Sequence, residues 1–238
     1  MFNVVLVGAE GEVNIGFIAR LIMNFSLSRL ILISPKANHL SENALNYAVH
    51  AKEVLKNAKI YDELYHYLLV DSDLSIAFTK RIGQFRKKDL NVYEIGEFLK
   101  DYRDRNVNLV FGNERYGLKN EEIEMCDLIC YIPASEVFSS INLAQSVGIV
   151  SYEIYKNIFY NSTVENSYLA KREDVEEILD KLILFLNEIN YFKNTSEKRL
   201  RNYLKKLLFR MKPDKNDALI LNNLITRVNG IIKKVKQL

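Results

Sequence analysis

Short apolar runs alternate with amphipathic stretches over the first two thirds of the chain. Each run is rich in β-formers, ends at or just before Gly, Ser, Thr or Pro, and predicts a buried strand. The predicted strands are Val4–Val7, Leu30–Ser34, Leu74–Thr79, Leu109–Gly112 and Leu128–Ile132. Between them, apolar residues at helical spacing predict helices at Ile15–Phe25, Tyr61–Val70, Tyr93–Tyr102 and Ile141–Ile158. This alternation predicts an α/β domain with a mostly parallel sheet, in which ligands bind at the carboxyl ends of the strands.

The pattern changes after Tyr160, where no convincing strand follows. Three helices fit the remainder, at Lys171–Asn190, Ser196–Met211 and Asp214–Val228. Ser196 and Asp214 stand where N-caps belong, and Pro213 ends the second helix. The sequence therefore predicts two domains, an α/β domain at residues 1–160 and a small all-α domain at residues 161–238.

Composition restricts the class of protein. Of the 238 residues, 48% are apolar and 26% charged, and only nine are Gly and three Pro, which excludes a collagen-like or low-complexity chain. Two Cys cannot build a disulfide framework, the N-terminus lacks a basic signal-peptide region, and no apolar stretch approaches a membrane span. We expect a soluble protein of the cytoplasm.

The basic residues are concentrated in the C-terminal part. Residues 161–238 carry 16 Lys and Arg against 10 Asp and Glu, whereas the chain as a whole has a net charge of only +3. Such a tail is typical of a surface that binds a polyanion such as nucleic acid. A solvated helical face explains the charge equally well.

Common catalytic and metal-binding motifs are missing. The turn Gly8-Ala9-Glu10-Gly11 does not have the G-x-G-x-x-G spacing of a dinucleotide site. Cys126 and Cys130 have no neighbouring His or second Cys pair and are interpreted as core thiols rather than zinc ligands. His39, His50 and His66 are isolated from any nucleophile. We therefore expect neither a metal site nor a Ser/His hydrolase.

Three segments carry more specific information. They are Asn14-Ile15-Gly16-Phe17-Ile18-Ala19-Arg20, Phe111-Gly112-Asn113-Glu114-Arg115-Tyr116-Gly117-Leu118, and Ile132-Pro133-Ala134-Ser135-Glu136-Val137-Phe138-Ser139-Ser140-Ile141-Asn142-Leu143-Ala144. In order, spacing and placement they resemble the three motifs of the SPOUT superfamily of knotted methyltransferases, in the branch that methylates the ribose 2′-hydroxyl of RNA. The helical extension makes the layout similar to the TrmJ-type tRNA methyltransferases. The chain departs from this pattern at Asn113, where many relatives have Arg, and in a first loop without proline.

The resemblance implies a fold and an activity. It implies a C-terminal trefoil knot in the α/β domain, S-adenosylmethionine as cofactor, tRNA as substrate and no metal. It also implies a homodimer in which each site borrows residues from the partner subunit. The expected target is the first nucleotide of the anticodon loop, a cytidine or uridine at position 32. Two alternatives stay open: a ribosomal-RNA 2′-O-methyltransferase of the same superfamily, and a non-catalytic knotted RNA-binding protein.

Four residues of the first and third motifs are candidates for the chemistry. A guanidinium stays protonated, so Arg20 is better suited to holding an RNA phosphate and stabilising the forming alkoxide than to acting as a base. The alternative is a surface Arg20 paired with Glu10 or Glu12. Asn14 would position its loop and contact the ribose, and Ser140 and Asn142 would orient the nucleophile. The competing interpretation of the third motif is simple helix capping by Ser139 or Ser140.

The family binds its cofactor through main-chain groups of the knot loops. By position this implies a set of cofactor-binding residues: Thr79, Lys80, Arg81, Gly112, Ile132, Ser139, Ser140 and Ile141. Glu114 is expected either to fix a loop through main-chain N–H groups or to contact the partner subunit. A homodimer is also favoured by an excess of apolar residues on the last helix of the first domain, namely Leu143, Val147, Ile149, Val150 and Ile154.

Overall fold

The computed structural model describes residues 1–80, 88–160, 169–193 and 196–235. The chain divides into two compact units, unit 1 (Met1–Ser167) and unit 2 (Tyr168–Leu238). Each unit is described by itself.

Unit 1 is built on a parallel sheet. Within the described residues its strands are β1 (Phe2–Val7), β2 (Arg29–Ile33), β3 (Lys59–Tyr61), β4 (Leu74–Phe78), β5 (Leu90–Asn91), β6 (Val107–Phe111) and β7 (Leu128–Tyr131). They pair in the order β3-β2-β1-β6-β4-β7-β5, and each pair is parallel. The predicted α/β class with a mostly parallel sheet is confirmed. The trefoil knot stays a prediction.

Helices cover the sheet because its central strands consist mostly of apolar residues. All residues of β1, β4 and β6 are buried, as expected for a parallel sheet enclosed by helices. The helices of unit 1 are α1 (Glu12–Asn24), α2 (Glu42–Ala48), α3 (Lys52–Lys56), α4 (Leu64–Val70), α5 (Val92–Leu99), α6 (Asn120–Met125) and α7 (Leu143–Ile154). The last one continues as wider π-helical turns through Tyr155–Tyr160.

The structure contains the strands and helices predicted for this part of the chain, together with shorter ones that were not predicted. All five predicted strands and all four predicted helices of this part are present, with ends shifted by a few residues. Sequence reasoning missed β3 and β5, which have three and two residues, and the short helices α2, α3 and α6. β3, β5, α3 and α6 are too short to show a period, whereas α2 is as long as α4 but buries only Ala44 and Ala48 and so has no apolar stripe.

Unit 2 is helical in its described residues, with α8 (Arg172–Glu188), α9 (Glu197–Met211) and α10 (Lys215–Val235). α8 packs against both α9 and α10. Ser196 caps α9 as predicted, its side chain accepting a hydrogen bond from the Arg199 N–H. Asp214 likewise accepts from the Asp217 N–H at 2.7 Å at the start of α10, which runs seven residues beyond the predicted end at Val228. Among the described residues there is no helix of the length and apolarity that a membrane crossing requires.

Candidate active site

The three motif loops leave the same edge of the sheet. The first connects β1 to α1, the second follows β6, and the third runs from β7 into α7. β1 pairs directly with β6, and β4 lies between β6 and β7, so the three loops follow strands within a run of four neighbouring strands. Carboxyl ends of parallel strands are where such sheets form their ligand crevices.

One side chain from each loop enters a shared hydrogen-bond network. The Asn14 amide nitrogen donates to Glu114 Oε1 at 3.0 Å. The Asn14 amide oxygen accepts from Asn142 Nδ2 at 3.1 Å. Asn14, Glu114 and Asn142 are called the three-loop junction below. It joins residues that lie 100 or more positions apart in the chain.

Glu114 also holds the backbone of the first loop. Its two carboxylate oxygens accept from the N–H groups of Glu10 at 3.0 Å and Gly11 at 2.9 Å. Of the two roles expected for Glu114, the structure therefore shows the first, fixing a loop through main-chain N–H groups. Gly11 belongs to this arrangement, because a Cβ there would lie 2.8 Å from Glu114 Oε1. No sequence pattern indicates this role of Gly11.

The electrostatics of Glu114 follow from these contacts. Partial burial alone would raise the pKa of this carboxyl, but the donors from Asn14, Glu10 and Gly11 outweigh it and hold the pKa below its usual value. Glu114 is therefore a carboxylate near neutral pH. A carboxylate accepts hydrogen bonds only, which suits a site of converging N–H donors.

Asn142 is the N-cap of α7. Its side-chain oxygen accepts from the N–H groups of Ala144 at 2.8 Å and Gln145 at 3.3 Å. Capping by Ser139 or Ser140 is therefore wrong, because α7 starts later than the predicted helix and the cap falls on Asn142. Since both ends of the Asn142 amide already bind protein groups, its role in the chain is to position the third loop.

The second loop is shaped by Asn113 and two glycines. Asn113 Oδ1 accepts from the N–H groups of Arg115 at 3.1 Å and Tyr116 at 2.7 Å, which closes an Asx turn. A Cβ on Gly112 would lie 2.0 Å from the Gly117 carbonyl carbon, so the turn closes on Gly112 itself. Gly117 has a φ of +66°. Gly112 is thus required by its own loop, whether or not a ligand also approaches it.

Arg20 stands apart from the junction. It is exposed near the end of α1, six residues or about 9 Å along the helix axis from Asn14. Its guanidinium lies 6.0 Å from the centre of the Phe17 ring. Pairing with Glu10 or Glu12 is wrong: Glu10 binds Lys36 at 2.7 Å and Arg115 at 3.0 Å, while Glu12 accepts from an Asn side chain. Within the described part of the chain, Arg20 forms no ion pair.

The chain matches known proteins over most of its length. A family model described as the SpoU rRNA methylase family matches residues 1–152. The tRNA (cytidine-2′-O-)-methyltransferase TrmJ of Methanocaldococcus jannaschii is 33% identical over 192 residues, covering 79% of this chain and 82% of that protein. This chain belongs to the SpoU rRNA methylase family. The resemblance drawn from the three motifs is thereby confirmed.

Solved structures agree with this assignment. The structure of a probable methylase family protein from Haemophilus influenzae Rd KW20 is 28% identical and covers 98% of each chain with a TM-score of 0.68. A second structure, described as giving insights into the 2-OH methylation of C/U34 on tRNA, is 25% identical. It covers 66% of this chain and 95% of its own, with a TM-score of 0.54.

The cofactor-binding residues expected for a SpoU methylase fall on neighbouring strands. Thr79 and Lys80 follow β4, Gly112 follows β6, and Ile132 follows β7. The pairs Ala77–Val110 and Phe78–Cys130 place these strand ends side by side. Arg81 lies outside the described residues. The structure thus brings the described members of the set to one edge of the sheet.

The main chain of the third loop fits a ligand that binds backbone groups. Within the described residues, the backbone N–H and C=O groups of Ser139, Ser140 and Ile141 make no hydrogen bond to the protein. Ser139 is half-buried and Ser140 exposed. Free main-chain donors and acceptors beside a structured loop are what S-adenosylmethionine would need. Thr79 differs, because its N–H already donates to the Cys130 carbonyl at 3.2 Å.

Most of the apolar residues that suggested a dimer surface on α7 are buried inside the protein. Leu143, Val147, Val150 and Ile154 are buried within the protein, and only Ile149 of the five is substantially exposed, at 38%. The excess was therefore the wrong reason to expect a dimer: α7 is covered by α1 on one side and α5 on another, which buries a wide stripe. In the described residues, no three His, Cys, Asp or Glu side chains converge as metal ligands would.

Proposed function

We propose that this chain is an S-adenosylmethionine-dependent tRNA 2′-O-ribose methyltransferase acting on a cytidine or uridine at position 32 of the anticodon loop. The observation that carries the proposal is the three-loop junction, which assembles all three SpoU motifs at the carboxyl edge of the sheet. The relative from M. jannaschii is named a tRNA (cytidine-2′-O-)-methyltransferase. Because the proposed substrate is tRNA, we also propose that the enzyme acts in the cytoplasm.

In the proposed reaction, some residues of the chain position the binding loops and others stabilise charge. S-adenosylmethionine supplies an electrophilic methyl group, and the loops that contain Gly112, Ile132 and Ser139–Ile141 would hold it through main-chain groups. The junction fixes the relative positions of these loops. Arg20 binds the RNA phosphate beside the target and stabilises negative charge as the 2′-hydroxyl loses its proton. Ser140, exposed beside the junction, remains the candidate for orienting that hydroxyl.

The enzyme acts as a homodimer in which Arg20 serves the partner's site. Arg20 is exposed, free of ion pairs within the described chain, and separated from the junction of its own subunit. It borders an apolar surface where α1 and α7 pack together: Leu21 approaches Gly148, and the Phe25 and Tyr152 rings lie 6.0 Å apart. Tyr152 is 51% exposed on that surface. A partner covering this surface would carry the Arg20 of each subunit toward the other's loops.

Mixed dimers test that arrangement. Arg20→Ala removes the charge that a subunit supplies to its partner's site. Glu114→Gln damages the loops that form the subunit's own site. Each variant alone should therefore be nearly inactive. In co-expressed mixtures, about half of the dimers are mixed and each has one intact site, which should restore about a quarter of wild-type activity. An inactive mixture, with mixed dimers shown by mass spectrometry, would refute sharing of Arg20. A fully active protein that light scattering shows to be a monomer would refute the dimer.

A methyl-transfer assay tests the activity itself. The purified chain is incubated with tritium-labelled S-adenosylmethionine and, separately, unmodified tRNA transcripts and ribosomal RNA, and the products are digested to nucleosides. We expect label in 2′-O-methylcytidine or 2′-O-methyluridine from tRNA only. Label in ribosomal RNA alone would support the rRNA alternative. Binding of RNA without transfer to either would support the non-catalytic alternative.

A further inference from the structure

Helix α9 of unit 2 carries its positive charge on two different faces. It has six Lys and Arg residues and one acidic residue, Glu197. A helix rotates by about 100° per residue, so residues separated by four, seven and eleven positions share a face. By that geometry Arg201 and Lys205 lie on one side of α9, whereas Arg199, Lys206 and Arg210 lie on the opposite side. The two groups are in different environments.

The first group is neutralised by α8. Arg201 binds Glu176 at 2.8 Å and Asp180 at 2.7 Å, and Lys205 binds Glu176 at 3.2 Å. These ion pairs fasten α9 to α8 inside unit 2. A cation that already has a carboxylate partner gains less from a phosphate, so these two residues are poor candidates for RNA contacts. Charge in the sequence alone could not separate them from the others.

The second group forms a stripe with a tyrosine inside it, in which the two arginines are exposed and Lys206 is half-buried. Arg199, Tyr203, Lys206 and Arg210, called the α9 stripe below, follow the spacing of four, three and four residues and span about 16 Å. Arg199 and Arg210 are exposed, and within the described chain neither guanidinium has an ion-pair partner. The Tyr203 side chain is 57% exposed. The α9 stripe thus places an exposed aromatic ring between two exposed guanidinium groups.

We propose that the α9 stripe binds tRNA, with Arg199 and Arg210 on phosphates and Tyr203 stacked on an unpaired base. This inference rests on the proposed function and names the surface by which unit 2 serves it. Phosphates complement the cations, and every nucleobase offers a face to an aromatic ring, so a single-stranded or looped RNA satisfies both features. An acidic protein would use the cations but not require a planar stacking partner at Tyr203. RNA is therefore the occupant that uses the whole stripe.

Binding of fluorescent, unmodified tRNA transcript to the full chain, measured over a range of salt concentrations, tests the stripe. Arg199→Gln with Arg210→Gln should weaken binding and lower the slope of log K against log salt by about 0.7–0.9 for each lost phosphate contact. Tyr203→Ala should weaken binding about tenfold with the slope unchanged, because stacking releases no counterions. Tyr203→Phe should keep wild-type affinity, since the ring is retained.

The matched control removes the same charge elsewhere in unit 2. Lys215 and Arg227 are exposed on α10 and, within the described chain, have no ion-pair partner. Lys215→Gln with Arg227→Gln should leave the slope near wild type. Equal losses in the control and the stripe variant would show a general charge effect and overturn the proposal, as would unchanged binding in the stripe variant. All variants are exposed substitutions, and circular dichroism melting checks that α9 remains folded.

The outcomes separate this inference from the proposed function. Methyl transfer to tRNA by the wild type, with stripe variants that bind tRNA normally, would refute the stripe and leave the activity standing. Stripe-dependent tRNA binding by a chain that transfers no methyl group would support the surface and refute the activity.

Discussion

Asn14 and Arg20 belong to the same motif and the same helix, but their side chains make very different contacts within the protein. The amide of Asn14 is bound at both ends, to Glu114 and to Asn142, within the protein. The guanidinium of Arg20 meets only the face of Phe17 in the described chain. A side chain whose hydrogen bonds are made within the fold holds a shape, whereas an unpaired cation at the surface is available for a ligand. We therefore interpret Asn14 as the structural half of the motif and propose Arg20 as its chemical half.

Replacing the chemical half should give the largest effect. Arg20→Ala should slow single-turnover methyl transfer by about 10²–10³, the usual loss for one charge-stabilising donor, with the unfolding temperature unchanged because no protein contact of substance is lost. Arg20→Lys should rescue little, since a point charge cannot reproduce a two-pronged phosphate contact. Rapid-quench assays with saturating tRNA and cofactor measure the rate.

Lys56 provides a control for that variant. It is an exposed cation of unit 1 that pairs with Glu53 in the same helix at 2.7 Å. Lys56→Ala should leave both rate and stability close to wild type, because exposed pairs contribute at most about 1 kcal/mol. An Arg20→Ala rate within a few-fold of the Lys56→Ala rate would remove Arg20 from the mechanism.

Glu114 should report on the structural half. Glu114→Gln places an NH₂ group among the N–H donors of Glu10, Gly11 and Asn14, so the free energy of unfolding should fall by about 1–3 kcal/mol. Urea denaturation measures the change. Methyl transfer should fall as well, because the loops lose their common anchor. Unchanged stability, with activity lost, would instead make Glu114 a chemical residue and erase the contrast with Arg20.

In the third motif, Asn142 and Ser140 are expected to show the same contrast, with a structural role for Asn142 and a chemical role for Ser140. Asn142→Ala removes the cap of α7 and one arm of the junction, and should lower the free energy of unfolding by about 1 kcal/mol. Asn142→Asp should keep the cap but lose the donor to Asn14. Ser140→Ala, at an exposed position with no hydrogen bond in the described chain, should leave stability unchanged and lower only the transfer rate. Thermal melts beside rate measurements distinguish the three.

The pH dependence of stability should show the smallest effect. The pKa of Glu114 is held below its usual value of 4.5, so its contribution is present above that pH and is lost as the pH falls through the folded-state pKa. The difference in unfolding temperature between wild type and Glu114→Gln should therefore be constant near neutrality and shrink below about pH 4.5. A difference independent of pH down to 3 would contradict the assignment.

Periodicity predicted the parts of the fold that are long and apolar. β1 and β6 consist of buried residues, and α1 repeats its buried positions at helical spacing, so their signal is strong. β5 has two residues and β3 exposes most of its short length, so neither produces a pattern. The contact of α1 with α2 could not be predicted from the sequence either. It depends on Gly16 lying so close to the Ala44 carbonyl oxygen that a Cβ on residue 16 would be 2.5 Å from it.

Motif identity predicted which loops come together but not how they are joined. Asn14, Glu114 and Asn142 were each singled out from the sequence, yet their mutual hydrogen bonds depend on three chain segments meeting in space. The alternative of a serine cap is wrong because α7 begins at Leu143 rather than at the predicted Ile141, which puts the cap on Asn142. The separation of Arg201 and Lys205 from the α9 stripe likewise required the acidic positions of α8.

Methylation of tRNA with single deoxynucleotides tests the central claim most directly. A 2′-deoxy substitution removes the proposed acceptor atom at one position and leaves the base and the rest of the anticodon loop in place. We predict that 2′-deoxycytidine at position 32 abolishes labelled methyl transfer, whereas the same substitution at position 34 leaves it at the wild-type level. Transfer that continues unchanged with deoxycytidine at position 32 would contradict the account.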